Sequence, residues 1–454
     1  MRAELGVGEA ARLMVASVNA AGIPYAVLPF DETSNRKRSG FSDYGSGEAE
    51  YDVNLICVNA DQLPVFVRFA GTAFLRDRYS IGYWFWEVED FPAEMAASAE
   101  LVDEVWVASR HAADAIGRSV DVPVFCCPLP VLAPPPPKLT RSDLGLPEGF
   151  LFAFTFDFNS VLERKNPLAA IEAFSRAFEP GEGPKLLVKT INGDLHPDRR
   201  DLLAGAARSR PDVLIVDRYF SAQEQRALSN VCDAVISLHR SEGFGLTIAE
   251  AMAFGKPAIA TAYSGNLEFM DERNSYLVPY ELTEIPPGCE PYPAGSRWAE
   301  PDVAAAAELM RHVVDEPDEA AEKGRRAAED IRELHSPERR AALVTERLEA
   351  VEGKRPFGVA AARAAALIAP PRTPARAYLD VPPVVSRRPS IRAVQQLVLR
   401  LIRSYTRHQR TMDEALVADL DALRDELKRL EASQRGLLRR IATLEGRAAS
   451  GGEE

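Results

Sequence analysis

Short apolar runs alternate with helical patterns along residues 1–351. The apolar runs predict strands, and the amphipathic stretches between them predict helices. The predicted strands cover residues 25–30, 53–58, 79–83, 104–107, 122–126, 150–156, 185–189, 213–216, 234–238, 258–261 and 275–280. Because parallel strands need crossover helices, this alternation predicts an α/β fold with parallel, doubly wound sheets.

A stiff segment divides this region into two predicted domains. Residues 128–138 contain four consecutive prolines, a composition typical of an extended linker. We place the domains at 1–133 and 134–351. A glycine turn at Gly6 and Gly8 opens the first helix, and such a turn normally follows a strand. We therefore expect the first strand of this domain to lie upstream of Met1.

The pattern changes beyond residue 351. Residues 352–389 are rich in alanine, proline and arginine and predict a linker. Residues 390–410 predict a basic amphipathic helix whose apolar stripe, 391–405, suits an anionic membrane surface; the alternative is packing on its own domain or on a partner. Heptad spacing over 411–446 predicts a coiled coil and a homo-oligomer, the alternative being one helix folded back on the protein.

One stretch combines a strand, a glycine turn and the start of a helix. After the apolar run 234–238, Gly243 and Gly245 turn the chain, and a helical pattern follows. The first amides of a helix lack internal partners and bind anions. Glu242 and Glu250 flank this site, and carboxylates accept hydrogen bonds from hydroxyl groups. An anion beside hydroxyl groups describes a sugar nucleotide, whereas the plainer alternative is a solvated Glu250 beside an ordinary turn.

The run Glu242-Gly-Phe-Gly-Leu-Thr-Ile-Ala-Glu250, followed by Ala-Met-Ala-Phe-Gly-Lys-Pro, resembles the signature of family 4 (group 1) glycosyltransferases. This resemblance implies the GT-B fold, in which two Rossmann-like domains face a cleft. The first domain would be on the acceptor side, and the second would bind the donor. The last helix of the second domain would pack back on the first.

The resemblance also implies roles for residues in this motif. Glu250 would bind the ribose hydroxyls, and Glu242 would lie near the donor sugar. The turn between them would contact the sugar and the diphosphate through Gly243, Phe244, Gly245, Leu246 and Thr247.

Two cations follow the predicted strand 150–156. Arg164 and Lys165 lie at a strand–helix junction, where fixed positive charge suits a diphosphate leaving group. Lys165 falls on the lysine of the resembling family, but Asn159 holds the position of the family's arginine. Either Arg164 supplies the second charge or the site has one cation, and a solvated pair is the plainer alternative. Asn266, in a later turn, is a further donor-binding candidate.

Candidates on the acceptor side lie in the first domain. Gly6 and Gly8 open its first helix, and Asp61 follows a strand at the sheet edge where open α/β folds bind ligands. Trp86 and Glu87 suit a sugar, because an indole stacks on the ring and a carboxylate accepts from its hydroxyls. The alternative places Trp86 in the core and Glu87 in solvent. The histidine that many family members carry nearby is not found here, so Glu87 or Asp61 is expected to replace it.

Composition narrows the function further. The 454-residue chain has a net charge of −13, which argues against general nucleic-acid binding. Its five irregularly spaced cysteines predict free thiols in a reducing cytoplasm rather than a metal site. No apolar run is long enough to span a bilayer. We expect a cytoplasmic protein, peripheral to the inner membrane face, that needs no cofactor beyond its nucleotide sugar.

The resemblance to family 4 glycosyltransferases implies a retaining glycosyltransferase. Its donor would be a nucleoside-diphosphate sugar, and its acceptor a glycan or a lipid-linked glycan in polysaccharide or cell-surface glycan synthesis. Two alternatives stay open: a GT-B sugar-nucleotide epimerase, which needs no acceptor, and a non-catalytic sugar-nucleotide-binding scaffold. The sequence does not specify the base, the sugar or the acceptor.

Overall fold

Two parallel sheets, one after the other along the chain, carry the fold. The structure, a computed structural model, describes residues 6–30 and 51–351. These residues belong to the unit Met1–Ile368, whereas the second unit, Ala369–Glu454, lies outside the described residues. The predicted linker, basic helix and coiled coil therefore also lie outside them.

The N-terminal half contains a four-stranded parallel sheet in the order β1-β2-β3-β4. Its elements are α1 (Val7–Ala20), β1 (Val53–Ile56), α2 (Leu63–Ala70), α3 (Thr72–Leu75), β2 (Tyr79–Trp84), α4 (Ala93–Ala96), a 3-10 helix (Ala97–Leu101), β3 (Glu104–Val107), α5 (Arg110–Gly117) and β4 (Val124–Cys126). Every residue of β2 is buried. Such continuous burial is typical of a parallel strand that is covered on both faces.

The C-terminal half contains a six-stranded parallel sheet in the order β10-β9-β8-β5-β6-β7. Its elements are α6 (Arg141–Leu144), β5 (Leu151–Asp157), α7 (Leu162–Lys165), α8 (Pro167–Ala177), β6 (Lys185–Ile191), a 3-10 helix (Gly193–Leu195), α9 (Pro197–Ala207), β7 (Val213–Asp217), α10 (Ala222–Val231), β8 (Ala234–Ser237), α11 (Leu246–Ala253), β9 (Ala258–Thr261), a 3-10 helix (Ser264–Glu268) and β10 (Tyr276–Val278). The strand order reverses between β5 and β8. Open α/β sheets bind ligands at such a switch point.

An antiparallel ribbon and three helices complete the described chain. They are β11 (Tyr280–Glu284), β12 (Arg297–Pro301), α12 (Val303–Asp315), α13 (Pro317–His335) and α14 (Pro337–Val351). None of the helices that the structure describes combines the length and apolar character needed to cross a bilayer. The five cysteines all lie in the described ranges and form no disulfide.

The predicted α/β fold with parallel sheets is confirmed, and a capping box starts α10. Ser221 accepts a hydrogen bond from the Glu224 amide, and the Glu224 carboxylate accepts one from the Ser221 amide. The strand predicted over 25–30 is wrong, because this segment has no regular structure. Instead, Phe30 packs by its ring on Phe66 of α2, at a centroid distance of 5.5 Å.

Two features join the halves. A shared apolar core combines Met14 of α1, Ile248 of α11, Ile331 of α13 and Val344 of α14. In addition, Arg347 of α14 donates hydrogen bonds to the buried Glu104 of β3, one of them over 2.6 Å. The last helix of the described chain therefore packs on the N-terminal half.

Candidate active site

The motif stretch folds as a strand, a turn and a helix at the switch point of the larger sheet. β8 ends at Ser237, and α11 begins at Leu246. Gly245 stands between them as the N-cap with φ 92°, a left-handed conformation that favours glycine. The turn therefore places the N-terminus of α11, whose first amides lack partners within the helix, shortly after the end of β8.

A second loop braces this turn from behind. The Glu242 amide donates to Ser264 Oγ over 2.8 Å, and the Gly265 amide donates to the Glu242 carbonyl over 2.9 Å. A Cβ built on Gly265 would stand 2.3 Å from the Gly243 carbonyl oxygen. Only glycine permits this close approach, so the brace depends on Gly265.

Glu242 is the centre of a group of charges. The residue is 8% exposed. Its carboxylate contacts Lys165 Nζ and lies 3.5 Å from Arg164 Nη1. Burial acts to raise the pKa of Glu242, but the charges of Lys165 and Arg164 outweigh it and lower the pKa to about 2. The carboxylate is therefore ionised throughout the physiological range.

The two cations occupy different surroundings. Arg164 is 4% exposed and donates to the Ser241 carbonyl over 2.7 Å. Lys165 carries more exposed surface on its side chain, 16% against 5% for Arg164. Of the two predicted diphosphate ligands, Lys165 is thus the more exposed, while Arg164 is buried.

Glu250 lies half-buried on α11, about one helical turn beyond the N-terminus. Burial raises its pKa to about 7, and the nearby Glu9 carboxylate of α1 acts in the same direction. Because Glu9 belongs to the N-terminal half, the start of α1 lies close to the motif helix. Both motif glutamates are thus present, with their pKa values moved in opposite directions.

An open cleft beside Glu242 is lined by residues of β5, β8, α10 and α11. It contains about 430 Å³ of empty space, including the solvent at its mouth. Its polar lining consists of Thr155, Gln225, Ser229, Ser237, Glu242 and Thr247. The hydroxyl and amide groups among these can donate hydrogen bonds to a ligand and accept them from it.

Polar side chains also gather where β5, β6 and β7 end. Asn192 donates to Asp157 Oδ1 over 2.7 Å and accepts from the Tyr219 hydroxyl over 2.8 Å. Beneath them, burial lowers the pKa of Lys189 to about 8, and its ammonium lies 4.7 Å from the Phe220 ring centroid. This network extends the polar edge of the sheet away from Glu242.

Three predicted contacts need correction. The Trp86 indole is 1% exposed and donates to the Asp90 carbonyl over 3.1 Å, so it is a core residue and does not offer a face to a sugar. Asn266 is fully buried; its amide donates to the Thr261 carbonyl, and its Oδ1 lies 3.1 Å from His239 Nε2. Gly8 is buried within α1 and does not line the cleft.

The other predicted residues occupy varied positions. Gly6 and Asp61 are exposed, as is Asn159, whose Oδ1 lies 3.1 Å from His196 Nε2. The Phe244 ring is buried against Phe269, at 5.1 Å between centroids. Its backbone, together with that of Gly243, Gly245, Leu246 and Thr247, forms the turn and the helix start.

Glu87 lies at the site. From the sequence we expect it either to bind a sugar hydroxyl or to be exposed to solvent, whereas the structure shows it in contact with Arg164 and Tyr292. Its carboxylate lies 3.9 Å from Arg164 Nη2 and accepts a hydrogen bond from the Tyr292 hydroxyl over 3.0 Å. Tyr292, Ser241 and His239 are contacts that sequence reasoning missed. Tyr292 follows Gly288 and Pro291 in a segment without strand or helix periodicity, so no sequence signal indicates it.

Comparison with known proteins places this site in a family context. Residues 156–283 match the family model described as Glycosyl transferases group 1. The matched segment contains Lys165, Glu242 and Glu250. A comparison with curated proteins gives no match.

Several solved structures have a similar fold. The Anabaena protein Alr3699/HepE, in complex with UDP and glucose, gives a TM-score of 0.51 at 17% identity, over 66% of this chain and 78% of that chain. Sucrose-phosphate synthase from Thermosynechococcus elongatus gives 0.51 at 16% identity, over 67% and 74%. A mutant of S. aureus TarM, in complex with Fondaparinux, alpha-GlcNAc-glycerol and UDP, gives 0.50 at 16% identity, over 66% and 55%.

At these identities the structural similarity concerns the fold. The described chain thus has an α/β fold with parallel sheets that resembles the GT-B glycosyltransferases, and its residues 156–283 match the group 1 glycosyl transferases.

Proposed function

We propose that the protein is a family 4 glycosyltransferase that moves a sugar, with retention, from a nucleoside-diphosphate sugar to a glycan or lipid-linked glycan acceptor. The observation that carries this proposal is the arrangement of Lys165, Glu242 and Glu250. An ionised glutamate that is paired with a lysine precedes a helix N-terminus and lines an open polar cleft, and a second glutamate lies on the same helix.

The donor would lie along the motif helix. The α11 amides and Lys165 bind the diphosphate, because helix N-termini and ammonium groups both attract phosphate. Glu250 accepts hydrogen bonds from the ribose, and Glu242 accepts them from the sugar. Neighbours of similar fold were solved with UDP, so a UDP-sugar is the first donor to test.

The support for proposing retention is the electrostatic setting of Glu242. Glu242 is held between two cations with a pKa of about 2, which makes it a weak nucleophile and a poor proton acceptor. In the proposed reaction the departing phosphate therefore takes the acceptor proton, while Lys165 and the α11 amides stabilise its charge. The bond from the sugar carbon to phosphate breaks as the bond to the acceptor oxygen forms on the same face.

Substitution of Glu250 by Gln and of Lys165 by Ala tests this proposal. We expect acceptor-dependent release of nucleotide to fall about a hundredfold or more in Lys165→Ala, as for the loss of other groups that stabilise developing charge. A variant at the exposed Arg325 serves as the control. Intact turnover in both site variants would reject the proposal. Nucleotide release without an acceptor requirement would favour the epimerase, and binding without release would favour the scaffold.

We further propose that the protein is cytoplasmic, is peripheral to the inner face of the membrane, and works in polysaccharide or cell-surface glycan synthesis. The support is the sequence of two segments outside the described residues. The basic amphipathic helix predicted over 390–410, with its apolar stripe 391–405, suits an anionic membrane surface, and the heptads of 411–446 suit a homo-oligomer. Density-dependent flotation with anionic vesicles tests the first segment, and light scattering of the full chain tests the second.

A further inference from the structure

The ribbon formed by β11 and β12, with the loop between them, reaches from the C-terminal half onto the N-terminal half. We call residues 280–301 the arm. Trp298, Tyr292 and Ile285 of the arm are buried in one apolar core with Trp84, the last residue of β2, and with Trp86, which follows that strand. This contact fixes the arm on the N-terminal half.

Two polar contacts, both located away from the charged site, also join the arm to the N-terminal half. Ser296 Oγ donates to Asp90 Oδ2 over 2.6 Å. Arg297 Nη2 donates to Glu89 Oε2 over 3.1 Å, at an exposed position. These contacts join the same arm to the same segment without reaching Glu242.

The tip of the arm enters the site. The Tyr292 hydroxyl donates to Glu87 Oε2 over 3.0 Å, and its ring centroid lies 5.8 Å from the Arg164 guanidinium carbon. Tyr292 is 7% exposed, so both contacts are shielded from water. Shielded interactions with charged groups are stronger than those at the surface.

Arg164 passes these contacts on to the turn of the motif. Its Nη2 lies 3.9 Å from Glu87 Oε1, and its Nη1 lies 3.5 Å from Glu242 Oε2 and donates to the Ser241 carbonyl. A buried guanidinium thus stands between a carboxylate of each half. Its position depends on both, because an unbalanced charge is costly to bury.

Glu87 also touches the turn directly. Its carbonyl accepts a hydrogen bond from Ser241 Oγ. A Cβ built on Gly243 would lie 3.6 Å from Glu87 Cγ and 3.3 Å from the Trp86 carbonyl oxygen. The segment that receives the arm therefore also forms one wall of the turn.

We propose that Tyr292 and Glu87 are positioning residues for the transfer. Together they hold Arg164, and through it Glu242 and the turn 241–243, in the arrangement that acts on the donor sugar. Because Tyr292 belongs to one half and Glu87 to the other, the turn is fully held only when the arm is docked. The catalytic part of this inference rests on the proposed function.

Four single substitutions in the full chain test this inference. Tyr292→Phe removes the hydroxyl that donates to Glu87, and Glu87→Gln removes the charge that faces Arg164. Both substitutions change the shape of the side chain little. Ser296→Ala and Arg297→Gln are the matched controls, because each removes one arm contact away from the site. Amide hydrogen exchange of a peptide covering 238–247 is measured for all four, together with kcat and the donor KM.

We expect exchange of the turn amides to become about tenfold faster in Tyr292→Phe and Glu87→Gln, as for the loss of a hydrogen bond to a charged group. We expect kcat to fall about tenfold with the donor KM unchanged, since Lys165 and Glu250 still hold the donor. The controls leave both quantities as in the wild type.

Two results would overturn the inference. Unchanged exchange in Tyr292→Phe and Glu87→Gln would show that they do not hold the turn. Equal increases in all four variants would show that the arm only joins the halves. Hydrogen exchange needs no donor, so a wild-type protein that turns over no nucleotide sugar would reject the proposed function and leave this test decisive.

Discussion

At the scale of the residue, the two motif glutamates have opposite electrostatic settings. Glu242 is ionised because two cations adjoin it, whereas burial and Glu9 favour the neutral form of Glu250. Ionisation of Glu250 is the step that prepares it to accept hydrogen bonds from hydroxyl groups, because charged acceptors bind them more strongly than neutral ones. Donor binding should therefore be sensitive to pH through this one residue.

We predict that the affinity for UDP-glucose rises about tenfold between about pH 6 and about pH 8, as the ionised fraction of Glu250 increases through its pKa of about 7. Titration calorimetry across this range measures it. Glu250→Gln should bind more weakly and show no such rise, and a rise of equal size in that variant would contradict the assignment. The effect on stability has the opposite sign: the raised pKa favours folding below the unfolded-state pKa, and this contribution is lost as the pH rises through about 7.

A second prediction concerns Gly265, where a Cβ would overlap the Gly243 carbonyl. Gly265→Ala should push the brace away from the turn and abolish donor binding in calorimetry. Gly205→Ala is the matched control, because open space surrounds that helical glycine and alanine favours a helix by up to about 1 kcal/mol. Normal donor binding by Gly265→Ala would show that the close approach is not needed.

Some of the site residues could be predicted from the sequence, and others could not. Glu242, Gly245 and Glu250 follow one another along the chain, so their spacing alone places them around one helix N-terminus. Trp86 could not be assigned from the sequence, because the same indole suits a core or a sugar. The contact between Tyr292 and Glu87 spans two halves of the protein, and neither segment carries a pattern that pairs it with the other.

At the scale of the element, α14 stabilises the arrangement of the halves. Its Arg347 meets Glu104, which is fully buried and also accepts from Tyr79 over 3.1 Å and from Trp106 over 2.6 Å. A buried carboxylate left without its cation is strongly unfavourable.

The wrong prediction of a strand over 25–30 shows that an apolar run alone does not identify a strand. Within the described residues, β1 is hydrogen-bonded to β2 alone, and Phe30 of the apolar run packs on α2 instead.

We predict that Arg347→Met destabilises the protein by about 3 kcal/mol, as for other buried ion pairs that lose one partner. Urea unfolding at neutral pH measures the change. Arg325→Met is the control, because that arginine is exposed and its pairs with Glu322 and Glu329 lie within one helix, where loss costs less than about 1 kcal/mol. Equal destabilisation by the two variants would show that Glu104 does not depend on Arg347.

At the scale of the whole molecule, the described site residues all lie between Glu9 and Tyr292. The segments with predicted roles in membrane contact and assembly lie beyond residue 351. Truncation beyond residue 351 should therefore affect membrane binding and assembly without affecting donor binding.

We predict that a chain ending at Ile368, the boundary of the first unit, binds its donor as the full chain does but is monomeric and no longer binds anionic vesicles. Light scattering and vesicle sedimentation measure the two losses. Charge reversal within 391–405 alone should remove vesicle binding and leave the oligomer intact. A truncated chain that stays oligomeric would place the contact between copies within residues 1–368.

The central claim is that the site formed by Lys165, Glu242 and Glu250 holds a nucleoside-diphosphate sugar. Thermal unfolding of the full chain with UDP, GDP, ADP and their common sugar conjugates tests it most directly. A ligand at one hundred times its Kd stabilises the folded state by about 2.7 kcal/mol. We expect one nucleotide class to raise the Tm of the wild type and to have a much smaller effect on Lys165→Ala. If no nucleotide or conjugate raises the Tm, or if the Lys165→Ala variant responds as the wild type does, the claim is contradicted.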